Sequence, residues 1–111
     1  MSIKLAILKS GEDVIADIQE MVFEEKVVGY FFNKPCAVKI RKNGEEEDKS
    51  FQISLFPWLP LSKTTKVPIT LDWVVTIVDP IETLENMYKR DVLKNGQNSS
   101  LDEQFDSDQS N

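Results

Sequence analysis

Short apolar runs with two-residue alternation dominate the first three quarters of the chain, and the period changes only near residue 80. Ile3 to Lys9 alternates with Ile3, Leu5 and Ile7 on one face, which predicts a first strand. Ser10-Gly11-Glu12-Asp13 is a turn, with Gly11 free to take positive φ. Val14 to Phe23 predicts a second strand with Val14, Ala16 and Ile18 on one face and Asp17 and Gln19 on the other. Glu24-Glu25-Lys26 interrupts it as a charged turn, and Val27 to Phe32 resumes an apolar run. Asn33-Lys34-Pro35 predicts a bend, because proline cannot donate to a central ladder.

Cys36 to Lys42 predicts a third clear strand, with Cys36, Val38 and Ile40 opposite Ala37, Lys39 and Arg41. Asn43-Gly44 is a strong hairpin signal, and Glu45-Glu46-Glu47-Asp48 is too charged for a core, so a long exposed tip is expected there. Phe51 to Trp58 predicts a fourth strand, Leu59 to Lys66 a loop, and Ile69 to Val78 a fifth strand best defined from Trp73. A helix is expected next. Asp79 suits its cap, Pro80 its first position and Glu82 the third, while Ile81, Leu84 and Tyr88 recur at helical spacing and Gly96 can end it.

The expected fold is therefore mainly β: five strongly bent antiparallel strands closing into a small barrel, with a C-terminal helix. An open α+β sheet is the competing layout. Closure would remove most exposed strand edges. Residues 1–94 form the expected domain. Residues 95–111 carry four acids (Asp102, Glu103, Asp106, Asp108), no base, and much Ser, Asn and Gln, so a disordered acidic tail is expected.

Composition narrows the chemistry. The 111 residues suit one compact core, and no apolar stretch is long enough to span a bilayer. Met1-Ser2-Ile3-Lys4 does not begin a signal peptide, and a single Cys36 builds no internal disulfide framework, so a cytoplasmic setting without membrane partners is expected. There is no histidine, which removes Ser-His-Asp and Cys-His schemes and imidazole zinc sites. The four glycines, at 11, 29, 44 and 96, make neither a dinucleotide fingerprint nor a P-loop. The acids stand in solvated-looking runs. The expectation is a binding module, not an enzyme, with no cofactor and no metal.

Several segments resemble the Sm and Sm-like (LSm, Hfq-type) family. Leu8-Lys9-Ser10-Gly11-Glu12-Asp13-Val14-Ile15-Ala16-Asp17-Ile18 has the form L-x-x-G-x-x-V-x-A-x-I and resembles the start of that family's first motif. Phe32-Asn33 resembles the step that ends it. Ile69 to Ile77 resembles the second motif, an apolar strand end, a tight turn and a strand of form V-x-x-I. The resemblance covers most of residues 3–78. LKSGEDVIAD followed by GYFFNKPCAV also looks like small uncharacterised proteins of T4-like cyanophages, which would place the chain in a phage-infected host cell. The sequence departs from the Sm pattern at Leu71-Asp72, where the family usually carries Arg-Gly, and Asp72 repels phosphate. A Lys-His step is absent, the helix follows the strands, and the hairpin from Arg41 to Ser50 is long.

The resemblance implies a homo-oligomeric ring that binds nucleic acid, most simply single-stranded RNA, or DNA, in its processing or regulation. Sm-like rings form when the fourth strand of one subunit pairs with the fifth of the next. The residues expected at that interface are Phe56 and Trp58, with Trp73, Val74, Val75, Thr76, Ile77 and Val78, where both strand faces are apolar except at Thr76. The expected nucleic-acid contacts are Tyr30 and Phe31 for stacking, Asn33 for a polar base contact, and Lys34, Lys39 and Arg41 for phosphate. Lys63 and Lys66 form a second basic cluster. Charge gives limited support: residues 1–94 hold all 13 bases and 15 of the 19 acids, a net of −2. The alternative is a protein–protein adaptor or structural subunit, phage-related on the second resemblance, that binds no nucleic acid.

Overall fold

The computed structural model describes residues 2–42 and 51–94. The expected Asn43-Gly44 hairpin turn, the acidic tip at 45–48, the Gly96 helix stop and the tail at 95–111 lie outside the described residues. The chain divides into two compact units, Met1–Pro80 and Ile81–Asn111.

The first unit is an antiparallel sheet. Its strands are β1 (Ile3–Leu8), β2 (Asp13–Phe23), β3 (Lys26–Lys42), β4 (Phe51–Pro57), β5 (Lys66–Thr70) and β6 (Val74–Val78). The hydrogen-bonded order is β4-β3-β2-β1-β6, with β5 also pairing β3. There are six strands where five were expected, and the sheet is not closed into a barrel. The expected fifth strand is cut by a one-turn 3-10 helix, Leu71–Trp73, which leaves β5 on β3 and carries the chain to β6 on β1. All five residues of β6 are β-branched, which suits an extended strand.

The two apolar runs on either side of Pro35 are one 17-residue strand, β3. Proline is tolerated there because it sits in a bulge. Asp17 pairs Asn33 and Ile15 pairs Cys36, so Lys34 and Pro35 together oppose Ala16. Lys34 takes φ 51°, and its N–H donates to the carbonyl of Thr65 at 2.7 Å. The bulge is also where the far neighbour of β3 changes, from β5 along Gly29–Asn33 to β4 along Cys36–Lys42. Pro68 lies within β5 as an edge-strand proline, where one missing donor is harmless.

The largest buried cluster lies on one face of the sheet. Ala6, Leu8, Val14, Ala16, Ile18, Phe32, Val67 and Ile69 form one buried cluster, and Tyr30, Trp58, Val74 and Ile77 pack against it half-buried. The face expected for β2 is thus the core face. In β1 the cluster takes Ala6 and Leu8, whereas Ile3, Leu5 and Ile7 share the opposite face as their alternation predicts; there Ile3 is buried, with Ile15 of β2 and Cys36 of β3, and Leu5 and Ile7 are half-buried. Phe32 is fully buried, and its ring stands 6.4 Å from that of Trp58, tilted by 43°. The Trp58 indole N–H donates to the Glu12 carboxylate at 3.2 Å.

The second unit holds α1 (Glu82–Tyr88) and a π-helical turn, Lys89–Lys94. Leu84 and Tyr88 are its buried residues, one helical turn apart as the spacing predicts, whereas Ile81, expected on the same stripe, is exposed because it precedes the helix in extended conformation. Asp79 does not cap this helix. Ile81 holds the cap position in extended conformation with no side-chain cap, and the Asp79 carboxylate instead meets the Lys4 ammonium within the first unit. Glu82 and Glu85 in the first turn favour the positive end of the helix without a cap.

Candidate functional site

The six residues expected to contact nucleic acid all lie on β3, and strand alternation separates them. Tyr30 shares the face of Phe32 and packs half-buried against the core. It lines an open cleft of about 560 Å³ together with Lys4, Ile18, Glu20 and Ile77. Phe31 and Asn33 face the other way.

On that opposite face Phe31 pairs with Pro68, and Asn33 pairs with Lys66. The Lys66 ammonium lies 4.6 Å from the centre of the Phe31 ring, within the range of a cation–π contact. The Asn33 amide donates to the carbonyl of Asp17 at 3.0 Å, so its N–H is committed to the bulge between β2 and β3. Lys34 occupies the bulge itself, joined through its backbone to Thr65, the residue before Lys66.

Lys39 and Arg41 lie beyond the bulge, exposed, in register with Ser54 and Gln52 of β4. They share one face, as their alternation predicts. The structure therefore brings Phe31, Asn33, Lys34 and Lys66 together, sets Lys39 and Arg41 further along β3, and turns Tyr30 into the cleft. Lys66 belongs to this group although the sequence set it in a separate cluster. The signal that would have found it is cross-strand pairing, which needs the register of β5 on β3.

The residues expected at a subunit interface also divide. Trp58, Val74 and Ile77 pack half-buried against the core of their own chain, and Ile77 also lines the cleft. Phe56, Trp73, Val75 and Val78 are exposed, as is Thr76. On the other face of the β3–β4 pair, Ile40 and Phe51 are 60% and 50% exposed, which adds apolar surface beside the β4 edge. Val22 and Phe23, at the β2–β3 hairpin, are exposed too.

Among the described residues, no group of three or more His, Cys, Asp or Glu side chains is arranged to hold a metal ion. Cys36 is a buried thiol outside any disulfide, and its Sγ approaches the carbonyl of Lys34 at 3.9 Å. No described helix is long and apolar enough to cross a membrane. No protein-family model matches the chain, and no curated protein matches it.

Proposed function

We propose that the chain is the subunit of a homo-oligomeric Sm-like ring that binds single-stranded nucleic acid. Sheet geometry supports the Sm-like part. β5 and β6 stand four strand spacings apart along the pairing path β5-β3-β2-β1-β6, roughly 19 Å if flat. The three residues of the 3-10 helix that join them rise only about 6 Å. A sheet so connected must bend strongly, and residues of β1, β2, β3, β5 and β6 do meet in one cluster. The apolar strand end, one tight turn and apolar strand also follow the order of the family's second motif.

Self-association is supported by the unpaired outer edges of β4 and β6 among the described residues, flanked by exposed Phe56, Val75 and Val78. A strand edge beside apolar side chains is a template for a second copy.

The nucleic-acid part rests on one observation: the Lys66 ammonium over the Phe31 ring, with Lys34 at the adjoining bulge. A base stacking on Phe31 would move the ammonium aside to a phosphate. Ring and cation together supply the two terms of sequence-tolerant single-strand binding. Lys39 and Arg41 extend the cationic track along β3. Tyr30 and Asn33 carry structural tasks in this reading. Titration of labelled oligo-U and oligo-A with the full chain at rising salt tests it. Binding that falls with log salt supports the proposal, and negligible affinity at low salt removes the nucleic-acid part.

The adaptor reading is favoured by a different observation, the exposed Val22 and Phe23 beside the acidic Glu24-Glu25 turn, a surface suited to protein and not to phosphate.

A further inference from the structure

The loop between β4 and β5 ends in an apolar point. The Ser62 N–H donates to the carbonyl of Leu59 at 3.1 Å, closing a β-turn with Pro60 second and Leu61 third. Neither central residue has positive φ, so the turn is type I, in which proline suits the second place. Polar residues favour such turns, yet the third place here holds a leucine that is fully exposed. Both ends of the loop are tied to the β3 bulge, by Trp58 N–H to the Pro35 carbonyl at 3.1 Å and by Lys34 N–H to that of Thr65. The Thr64 N–H also bonds the Ser62 hydroxyl oxygen at 3.0 Å. Leu61 is thus a knob on a pre-ordered base, and seating it costs little further order.

The same chain offers a socket. The open cleft of about 560 Å³ carries Ile18, Tyr30 and Ile77 as its apolar lining, with Lys4, Glu20 and the neighbouring Gln19 among its polar groups. Lys4 is engaged by Asp79, whereas Glu20 is in no ion pair among the described residues. The uncommitted charge at the cleft is therefore negative. Residues 58–66 carry Lys63 and Lys66 and no acid. Within one chain Leu61 is fully exposed and takes no part in lining the cleft, so only a second copy brings knob and socket together.

We propose that Leu61 of one copy seats between Ile18, Tyr30 and Ile77 of a second copy, with Lys63 meeting Glu20. Knob and socket are different surfaces, so the contact is heterologous and repeats head to tail. It rests on the self-association proposed above and names a second contact within it, independent of nucleic acid.

Sedimentation velocity on the full chain, over a concentration series, tests it. Leu61→Asp should weaken self-association about tenfold or more, as loss of one buried leucine does. Its Tm as a monomer should not fall, because the site is exposed and aspartate suits the turn. Glu20→Lys should weaken association, and the Glu20→Lys/Lys63→Glu double variant should recover it. Mixed under mild oxidation, a Leu61→Cys chain and a Gln19→Cys chain should form a crosslinked pair that neither forms alone. An oligomer whose mass ignores Leu61→Asp and yields no mixed crosslink overturns the knob and leaves self-association standing. A wild-type chain that stays monomeric overturns both. A monomeric chain whose Leu61 instead governs binding to phosphatidylserine vesicles overturns the inference and assigns the loop to a lipid surface.

Discussion

The side-chain amide of Asn33 donates a hydrogen bond to the main-chain carbonyl of Asp17 at 3.0 Å, across the point where β3 bulges against β2. The bond supplies a donor to that carbonyl where regular pairing is broken by the extra residue. Asn33→Ala removes it and should lower stability by about 1 kcal/mol. Urea unfolding followed by tryptophan fluorescence should show a lower midpoint at unchanged slope. An unchanged midpoint would mean the bond is replaced by water at no net cost.

Gly29 is a second point of close approach. It pairs with Met21 on β2 and Thr70 on β5, and a Cβ added there would lie 2.8 Å from the carbonyl oxygen of Ile69. The neighbour is backbone and cannot swing aside. Gly29→Ala should therefore destabilise by about 1–3 kcal/mol through overpacking. At Gly11 the same substitution meets no atom within 4 Å, but its φ of 90° strains an alanine. Comparison of the two melting temperatures separates collision from backbone strain, with the larger loss expected at Gly29.

The β2–β3 hairpin turns on Glu24 and Glu25, both with positive φ, at 50° and 68°. Phe23 pairs with Lys26, so these are the two central residues of a mirror-type turn, where Asn-Gly fits without strain. Glu24→Asn/Glu25→Gly should raise stability by about 1 kcal/mol or more, since each left-handed non-glycine residue costs about that much. Thermal unfolding checks it, and a lowered Tm would contradict the turn assignment.

Much of the sheet was legible because period-2 alternation and β-branched residues act locally. The core face of β2, the paired Lys39/Arg41 face and the Leu84/Tyr88 stripe all follow from spacing alone. What the sequence hid depends on distant partners. Pro35 reads as a strand break, and only the backbone of Thr65 and the bulge against Ala16 turn it into a bend within one strand. Asp79 reads as a cap, but Lys4, 75 residues away, holds its carboxylate. Val74 and Ile77 read as spare apolar surface until the core cluster claims them. The candidate site was half visible for the same reason: Phe31 and Lys34 stand in one segment, whereas Lys66 joins them through the register of β5.

In the nucleic-acid reading, Lys66 and Phe31 act differently. Lys66→Gln should weaken oligonucleotide binding uniformly across sequences and reduce the salt slope by about 1. Phe31→Ala should cost about 1–3 kcal/mol of affinity and leave the salt slope unchanged. Fluorescence anisotropy at several salt concentrations reads both. Equal effects of the two variants on the slope would contradict the division of labour.

Native mass spectrometry of the full chain mixed with a short oligo-U at low salt tests the central claim most directly. A discrete species at an integer multiple of 12.7 kDa, carrying bound oligonucleotide, is expected. A spectrum holding only the 12.7 kDa chain, free of oligonucleotide at every concentration tried, would contradict it.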